Sequence, residues 1–167
     1  HEGAFVFGIL IAVLVNAFIT LHFPEPVILF LVVSSYLPIM RADSPAILIT
    51  DNDPQFRGTV LEVLRPIGYR TWEADDGMEA LKIVQQEQVH LVLLDMHMPR
   101  QTGIETLRHL KRFKALLPCI LLSAEMDDQI EAEARKAQAF EVLRKPVSRR
   151  DLTGTIENAL QETYGVS

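Results

Sequence analysis

The chain has 167 residues, enough for one domain of ordinary size and an additional segment, and its 49% apolar content can fill a core. Its net charge of −6 argues against a general electrostatic affinity for nucleic acid, so we expect no nucleic-acid partner. A single cysteine, Cys119, excludes an internal disulfide framework, and its apolar neighbours favour a small buried side chain over a reactive thiol.

The first 40 residues differ from the rest in charge. They contain no Lys or Arg and only Glu2 and Glu25, so the remainder holds all 16 basic and 20 of the 22 acidic side chains. Residues 3–23 are uncharged, and at about 1.5 Å per residue a helix of this length would cross a bilayer core. A Pro-Glu-Pro sequence would end that helix, and residues 27–40 form a second uncharged run that is short for a span. We therefore expect residues 1–41 to be a separate apolar segment, either a membrane anchor or a helical hairpin.

Other interpretations of this segment stay open. It could pack against protein, for example across a dimer, or be foreign to the domain that follows. A cleaved signal peptide is less favoured because no basic residue precedes the apolar run. Arg41 would face the cytoplasm by the positive-inside rule. The following domain is thus expected in the cytoplasm, at the inner face of the membrane if residues 3–40 insert.

From residue 45 onward, short apolar runs alternate with segments of helical periodicity. The predicted strands cover residues 46–50, 69–73, 90–94, 118–122 and 140–143. The first predicted helix begins at Pro54, and the second follows a cap at Asp76. The other three predicted helices cover residues 103–113, 127–139 and 148–164. Strands this apolar are typical of a parallel sheet covered by helices on both faces. The sequence therefore predicts a doubly wound α/β domain over residues 45–165.

Polar side chains follow four of the predicted strands. Residues 51–53 (Asp-Asn-Asp) follow the first strand, Asp95 the third, Ser123 the fourth, and Lys145 comes shortly after the fifth. Because the carboxyl ends of parallel strands share one edge of the sheet, we expect these side chains to converge. Clustered carboxylates repel each other, and oxygen ligands without Cys or a His pair favour Mg²⁺ over Zn²⁺. Taken singly, the Asp and Ser residues could instead be helix caps.

The order and spacing of these motifs resemble the receiver domain of two-component response regulators, the CheY family. The resemblance is carried by the acidic cluster, by Leu-Leu-Asp-Met-His-Met-Pro at residues 93–99, by Leu-Leu-Ser-Ala at 121–124 and by Arg-Lys-Pro at 144–146. It covers residues 45–165 and implies a flavodoxin-like sheet of five parallel strands in the order 2-1-3-4-5.

The resemblance also implies roles for single residues. Asp95 would accept phosphate from a histidine kinase or a phosphotransfer protein as an acyl phosphate, and Ser123 and Lys145 would bind the phosphoryl oxygens. The implied Mg²⁺ ligands are Asp51, Asn52, Asp95 and the backbone carbonyl of His97. Such a domain catalyses its own phosphorylation and dephosphorylation but is not an enzyme in the ordinary sense.

Two positions depart from the family pattern. Asn52 stands where the second acidic residue usually lies, so metal affinity should be lower unless Asp53 compensates. Val142, three residues before Lys145, stands where most relatives have Tyr or Phe. The valine has no ring to swing inward, so the surface of helix four, strand five and helix five is expected to switch less or by another route.

We expect a phosphoacceptor signalling domain that acts through contact with a downstream protein at the surface of helix four, strand five and helix five. We expect no output domain after the last helix, since residues 165–167 resemble neither a helix-turn-helix nor an effector enzyme. The alternative is a degenerate receiver that binds protein without phosphorylation, which the departures at Asn52 and Val142 favour. A phosphatase of similar fold would need a second Asp where His97 stands.

Overall fold

A computed structural model describes residues 44–165. The predicted membrane span and hairpin in residues 3–40 lie outside the described residues. Within residues 44–165, no helix combines the length and the apolar character that crossing a membrane requires.

The described residues form a five-stranded sheet flanked by helices. The strands are β1 (Ala46–Thr50), β2 (Arg70–Ala74), β3 (Leu91–Asp95), β4 (Cys119–Ser123) and β5 (Glu141–Arg144). The helices are α1 (Pro54–Leu64), α2 (Gly77–Gln86), α3 (Gly103–Phe113), α4 (Asp128–Lys136) and α5 (Arg149–Tyr164). All neighbouring strands pair in parallel, in the order β2-β1-β3-β4-β5. The predicted doubly wound fold is confirmed.

Strand burial follows this order. The three inner strands, β1, β3 and β4, are buried along their whole length, whereas β2 and β5 lie at the two sides of the sheet and are partly exposed. Side chains that alternate along the inner strands face two separate cores. One core is shared with α2, α3 and α4, and the other with α1 and α5. We call the side of the sheet where the strands end the carboxyl edge and the opposite side the amino edge.

The boundaries of four predicted strands and of the fourth helix were shifted. Strands two to five begin and end one residue later than the sequence indicated, so Asp95 and Ser123 are the last residues of β3 and β4. For β3 the neighbouring strand β4 explains the later end, because Met96 N–H still donates to the Leu122 carbonyl and extends the pairing. The fourth helix ends at Lys136, earlier than predicted, because Gln138 has a left-handed φ of 63° that turns the chain toward β5.

Gly103 begins α3 against the end of β3, and a Cβ there would lie 2.3 Å from the Asp95 carbonyl oxygen. The obstructing atom is backbone, so relief would require the two elements to separate. We expect Gly103→Ala to lower the free energy of unfolding by about 1–3 kcal/mol in urea denaturation. The matched control is Gly154→Ala in α5, where a Cβ meets nothing within 4 Å. The control should raise stability by about 0.5–1 kcal/mol, and equal effects of the two substitutions would contradict this packing.

Candidate functional site

Residues from three neighbouring strands and the segment after β5 meet at the carboxyl edge. Asp51 follows β1, Asp95 ends β3, Ser123 ends β4 and Lys145 follows β5. Asp51, Asp95 and Ser123 are 1%, 5% and 0% exposed. Since β1 and β3 flank the point where the strand order reverses, the two buried carboxylates lie where ligands gather in such sheets.

The Lys145 ammonium joins the two carboxylates. Its Nζ donates to Asp51 Oδ2 at 2.5 Å and to Asp95 Oδ1 at 2.6 Å. The other oxygens accept backbone hydrogen bonds, Asp51 Oδ1 from Asp53 N–H at 2.8 Å and Asp95 Oδ2 from His97 N–H at 3.1 Å. Each carboxylate oxygen therefore has a donor, and two negative charges share one positive charge.

The protonated form of Lys145 is stabilised by this arrangement. Burial alone lowers the pKa of the ammonium, but hydrogen bonds and charge attraction from Asp51 and Asp95 outweigh it, so the pKa is raised above its usual value. The Phe56 ring adds a cation–π contact, with its centroid 4.1 Å from Nζ. Lys145 is thus a fixed positive charge at neutral pH.

The Ser123 hydroxyl makes local hydrogen bonds. Its Oγ donates to the Glu125 carbonyl at 2.5 Å and accepts from Glu125 N–H at 3.2 Å. The Ser123 backbone carbonyl also accepts from Lys145 N–H at 2.7 Å. The structure therefore places the Ser123 backbone against Lys145, while the hydroxyl is engaged in the loop that leads to α4.

The Asp and Ser residues after the strands could have been helix caps, and the structure shows this for one of them. Asp53 caps α1, since its Oδ1 accepts from Gln55 N–H at 2.8 Å. Ser123 does not cap α4, whose N-cap is Asp127. Asp51 faces Lys145 and not the helix.

The donor set around the site fits a hard cation. It consists of the buried carboxylates of Asp51 and Asp95 and the carboxamide of the exposed Asn52, all oxygen donors of the kind that Mg²⁺ prefers. The charge is low, however, since residues 44–165 contain no group of three or more Asp, Glu, His or Cys side chains placed to hold a metal. The structure thus offers oxygen ligands for Mg²⁺, but only two of them are carboxylates, because Asn52 supplies a neutral amide oxygen.

Three neighbours of the site were not predicted from the sequence. Phe56 covers Lys145, and Arg57 Nη1 donates to the Asp51 carbonyl at 2.6 Å. Arg100 in the β3–α3 loop pairs with Asp76, the N-cap of α2. The only sequence signal for Phe56 and Arg57 was their place in the first turn of α1, directly after the acidic cluster.

Val142 lies on β5 and packs, partly buried, against the core shared with α4. Together with Ala134 and Met126 it lines a groove of about 230 Å³ between α4 and β5. The space beside the small valine is therefore open in this structure.

Comparisons with known proteins agree with this fold. The family model described as "Response regulator receiver domain" matches residues 47–157. The chain is 32% identical over 127 residues to the transcriptional regulatory protein ZraR of Escherichia coli, covering 76% of this chain and 29% of ZraR. It is 34% identical over 115 residues to the transcriptional regulatory protein PdtaR of Mycobacterium tuberculosis, covering 68% of this chain and 56% of PdtaR. The chain thus spans less than two thirds of the length of these relatives.

Solved structures show the same fold. The chemotaxis protein CheY4 of Vibrio cholerae superposes with a TM-score of 0.68 at 26% identity, over 70% of this chain and 99% of that protein. A receiver domain protein from Clostridium thermocellum superposes with a TM-score of 0.67 at 30% identity, over 71% of this chain and 95% of that protein.

Replacing the bridging lysine tests the electrostatics of the site. Lys145→Met would leave two buried carboxylates without their cation, and we expect a loss of about 1–3 kcal/mol in unfolding free energy at pH 7, less than for a fully buried pair because the lysine side chain is 20% exposed. The contribution depends on pH in a defined direction. Since the folded-state pKa is raised, the stabilisation is fully present below pH 10.5 and is lost as pH rises through the folded-state value.

The measurement is chemical denaturation of both proteins from pH 7 to pH 12. The difference between them should be constant up to about pH 10 and shrink above it. Lys82→Met, at an exposed position of α2, is the matched control and should show no such difference. Equal stability of the original protein and Lys145→Met at pH 7 would contradict the bridging role.

Proposed function

The chain belongs to the response regulator receiver domain family of two-component systems, and on that basis we propose that it accepts phosphate on Asp95 and relays the signal by contact with another protein. The donor is a histidine kinase or a phosphotransfer protein. The observation that carries the proposal is the buried Asp95 carboxylate at the end of β3, held by the Lys145 ammonium at 2.6 Å. Receiver domains are signalling domains and not enzymes in the ordinary sense.

The transfer needs little from the protein beyond position and charge. A carboxylate oxygen of Asp95 attacks the phosphorus of a phosphohistidine, the P–N bond breaks, and the imidazole leaves with the bonding electron pair. Lys145 contacts Asp51 as well as Asp95, so it stays attached to the site when it turns to the phosphoryl oxygens. Bound Mg²⁺, held by Asp51, Asn52, Asp95 and the His97 carbonyl, would neutralise charge on those oxygens.

We propose that switching starts at Ser123. To bind a phosphoryl oxygen, its hydroxyl must release the Glu125 carbonyl, which it now contacts at 2.5 Å. That release would free the loop between β4 and α4. The groove beside Val142 leaves room for α4 to shift against β5, although no aromatic side chain is present at position 142 to move into it. The downstream partner would bind the surface of α4, β5 and α5, which this shift would change.

A second function is favoured by specific features. Asn52 lowers the charge available for Mg²⁺, and the Ser123 hydroxyl is already satisfied within its own loop. A receiver with these features could serve as a binding module that does not require phosphorylation.

We also propose that residues 3–40 attach the chain to a membrane, with the receiver domain on the cytoplasmic side. The support is the two uncharged runs in this segment and Arg41 after them.

Substitution of the acceptor tests phosphorylation directly. Incubation with a small acyl phosphate donor and Mg²⁺ should add one phosphoryl group that is labile at alkaline pH, and Asp95→Asn should abolish it because an amide cannot form the acyl phosphate. The measurement is intact-protein mass spectrometry. Asp127→Asn is the matched control, since it changes another aspartate at the carboxyl edge and Asn also caps helices. Equal labelling of Asp95→Asn and the control would refute the assignment of the acceptor.

A restored acidic pair tests the metal site. Asn52→Asp adds a carboxylate beside Asp51 and should tighten Mg²⁺ binding by about tenfold, or about 1.4 kcal/mol, in a calorimetric titration. Asn158→Asp makes the same chemical change on an exposed face of α5 and should leave Mg²⁺ affinity unchanged. If the two variants bind Mg²⁺ equally, the metal does not lie beside Asn52.

A further inference from the structure

Exposed apolar side chains are concentrated at the amino edge, opposite the phosphorylation site. Of the five large apolar residues exposed in the described part of the chain, four lie at this edge and Met78 lies at the start of α2 near the carboxyl edge. The four are Ile67, Phe113, Leu116 and Tyr164. A patch confined to one end of a domain suggests a contact with a partner surface.

The loop between α3 and β4 presents the most exposed of these residues. Phe113 is 61% and Leu116 84% exposed. Leu116 and Tyr164 line a shallow groove of about 320 Å³, whose wall also includes Val89. We call Phe113, Leu116 and Tyr164 the amino-edge patch.

The fold holds Leu116 outward. The preceding Lys111 donates from Nζ to the Ala115 carbonyl at 3.2 Å and to the Leu117 carbonyl at 2.8 Å, which fixes the loop. The next residue, Leu117, is only 2% exposed and occupies the core side of the chain. Leu116 therefore faces solvent because the loop conformation directs the neighbouring Leu117 into the core.

Positive charge flanks the patch. Arg112 and Lys114 on either side of Phe113 are exposed, and neither takes part in an ion pair of residues 44–165. Glu87 and Glu162 also lie toward this edge, as do the basic residues Arg65, Arg70, Arg135 and Lys136, and Arg112 and Lys114 are the cations next to Phe113. The carboxyl edge carries both signs of charge: the acidic residues Asp51, Asp53, Asp75, Asp76, Asp95, Asp127 and Asp128, and the basic residues Arg57, Arg100, Lys145, Arg149 and Arg150.

The described chain begins at the same edge. Ser44 precedes β1, and its carbonyl accepts from Arg70 Nε at the start of β2 at 3.1 Å. The two uncharged runs in residues 3–40 are therefore joined covalently to the domain at the amino edge. A loop that combines apolar and basic side chains next to such an attachment point matches the apolar interface and the anionic headgroups of a bilayer.

We propose that the amino-edge patch, with Arg112 and Lys114, binds the surface of an anionic lipid bilayer. The Phe113 and Leu116 side chains enter the headgroup region, and the two cations contact anionic headgroups, as in other interfacial segments. The carboxyl edge with Asp95 then faces away from the bilayer toward its phosphodonor. The inference rests on the proposed membrane attachment of residues 3–40 and adds an orientation to it.

The test uses the full chain with one environment-sensitive fluorophore. Leu116→Cys carries the label, and Met78→Cys is the matched control at another exposed apolar position, on the opposite edge. The native thiol does not interfere, because burial raises the pKa of Cys119 to about 12. Each protein is reconstituted into vesicles of phosphatidylcholine with or without phosphatidylserine, and vesicle flotation reports attachment independently of the label.

We expect the label at residue 116 to shift to the blue and to be quenched by bilayer-embedded quenchers on phosphatidylserine vesicles, with neither effect at residue 78. Adding Arg112→Gln and Lys114→Gln should abolish the response at residue 116 while the protein still floats. Flotation without a response at residue 116 would overturn the orientation and leave the attachment standing. An equal response on pure phosphatidylcholine, or a response that appears without lipid and grows with protein concentration, would also overturn the proposal. Failure to float would refute the attachment itself.

Discussion

The bridge from the Lys145 ammonium to two buried carboxylates is the interaction on which the site depends. Asp51 and Asp95 end or follow neighbouring strands, so the fold forces two negative charges together at the carboxyl edge. Lys145 arrives there from the far side of the sheet, after β5, and its contacts at 2.5 and 2.6 Å compensate that repulsion. The site therefore combines two negative charges with one positive charge, and an incoming phosphoryl group and a divalent cation would change the contacts among them.

The periodicity of the sequence was sufficient to predict the alternation of strands and helices, because each inner strand contains an apolar run such as residues 91–94. The strand order was implied by the resemblance to receiver domains. Exact strand ends were missed, since hydrogen bonds from neighbouring strands decide where pairing stops. The meeting of Asp51, Asp95 and Lys145 followed from the common edge of parallel strands. The cover of Lys145 by Phe56 and the bond from the Ser123 hydroxyl to Glu125 were not predictable, because they depend on loop and helix geometry that hydrophobic patterns do not encode.

The two edges of the sheet carry different chemistry. The carboxyl edge holds the carboxylates, the lysine and the Ser123 loop that leads to α4. The amino edge holds exposed apolar residues and a basic loop, and the described part of the chain begins there at Ser44. Under the two proposals above, the carboxyl edge would receive phosphate and the amino edge would contact a bilayer.

The measurement that tests the central claim most directly is a titration of residues 42–167 with beryllofluoride, a mimic of the aspartyl phosphate, with and without Mg²⁺, followed by amide chemical shifts. A working phosphoacceptor predicts saturable shifts around Asp95, Ser123 and Lys145 that require Mg²⁺ and extend through Glu125 to α4. Absence of shifts in both conditions would contradict that account and favour a receiver fold that acts as a docking module without phosphorylation.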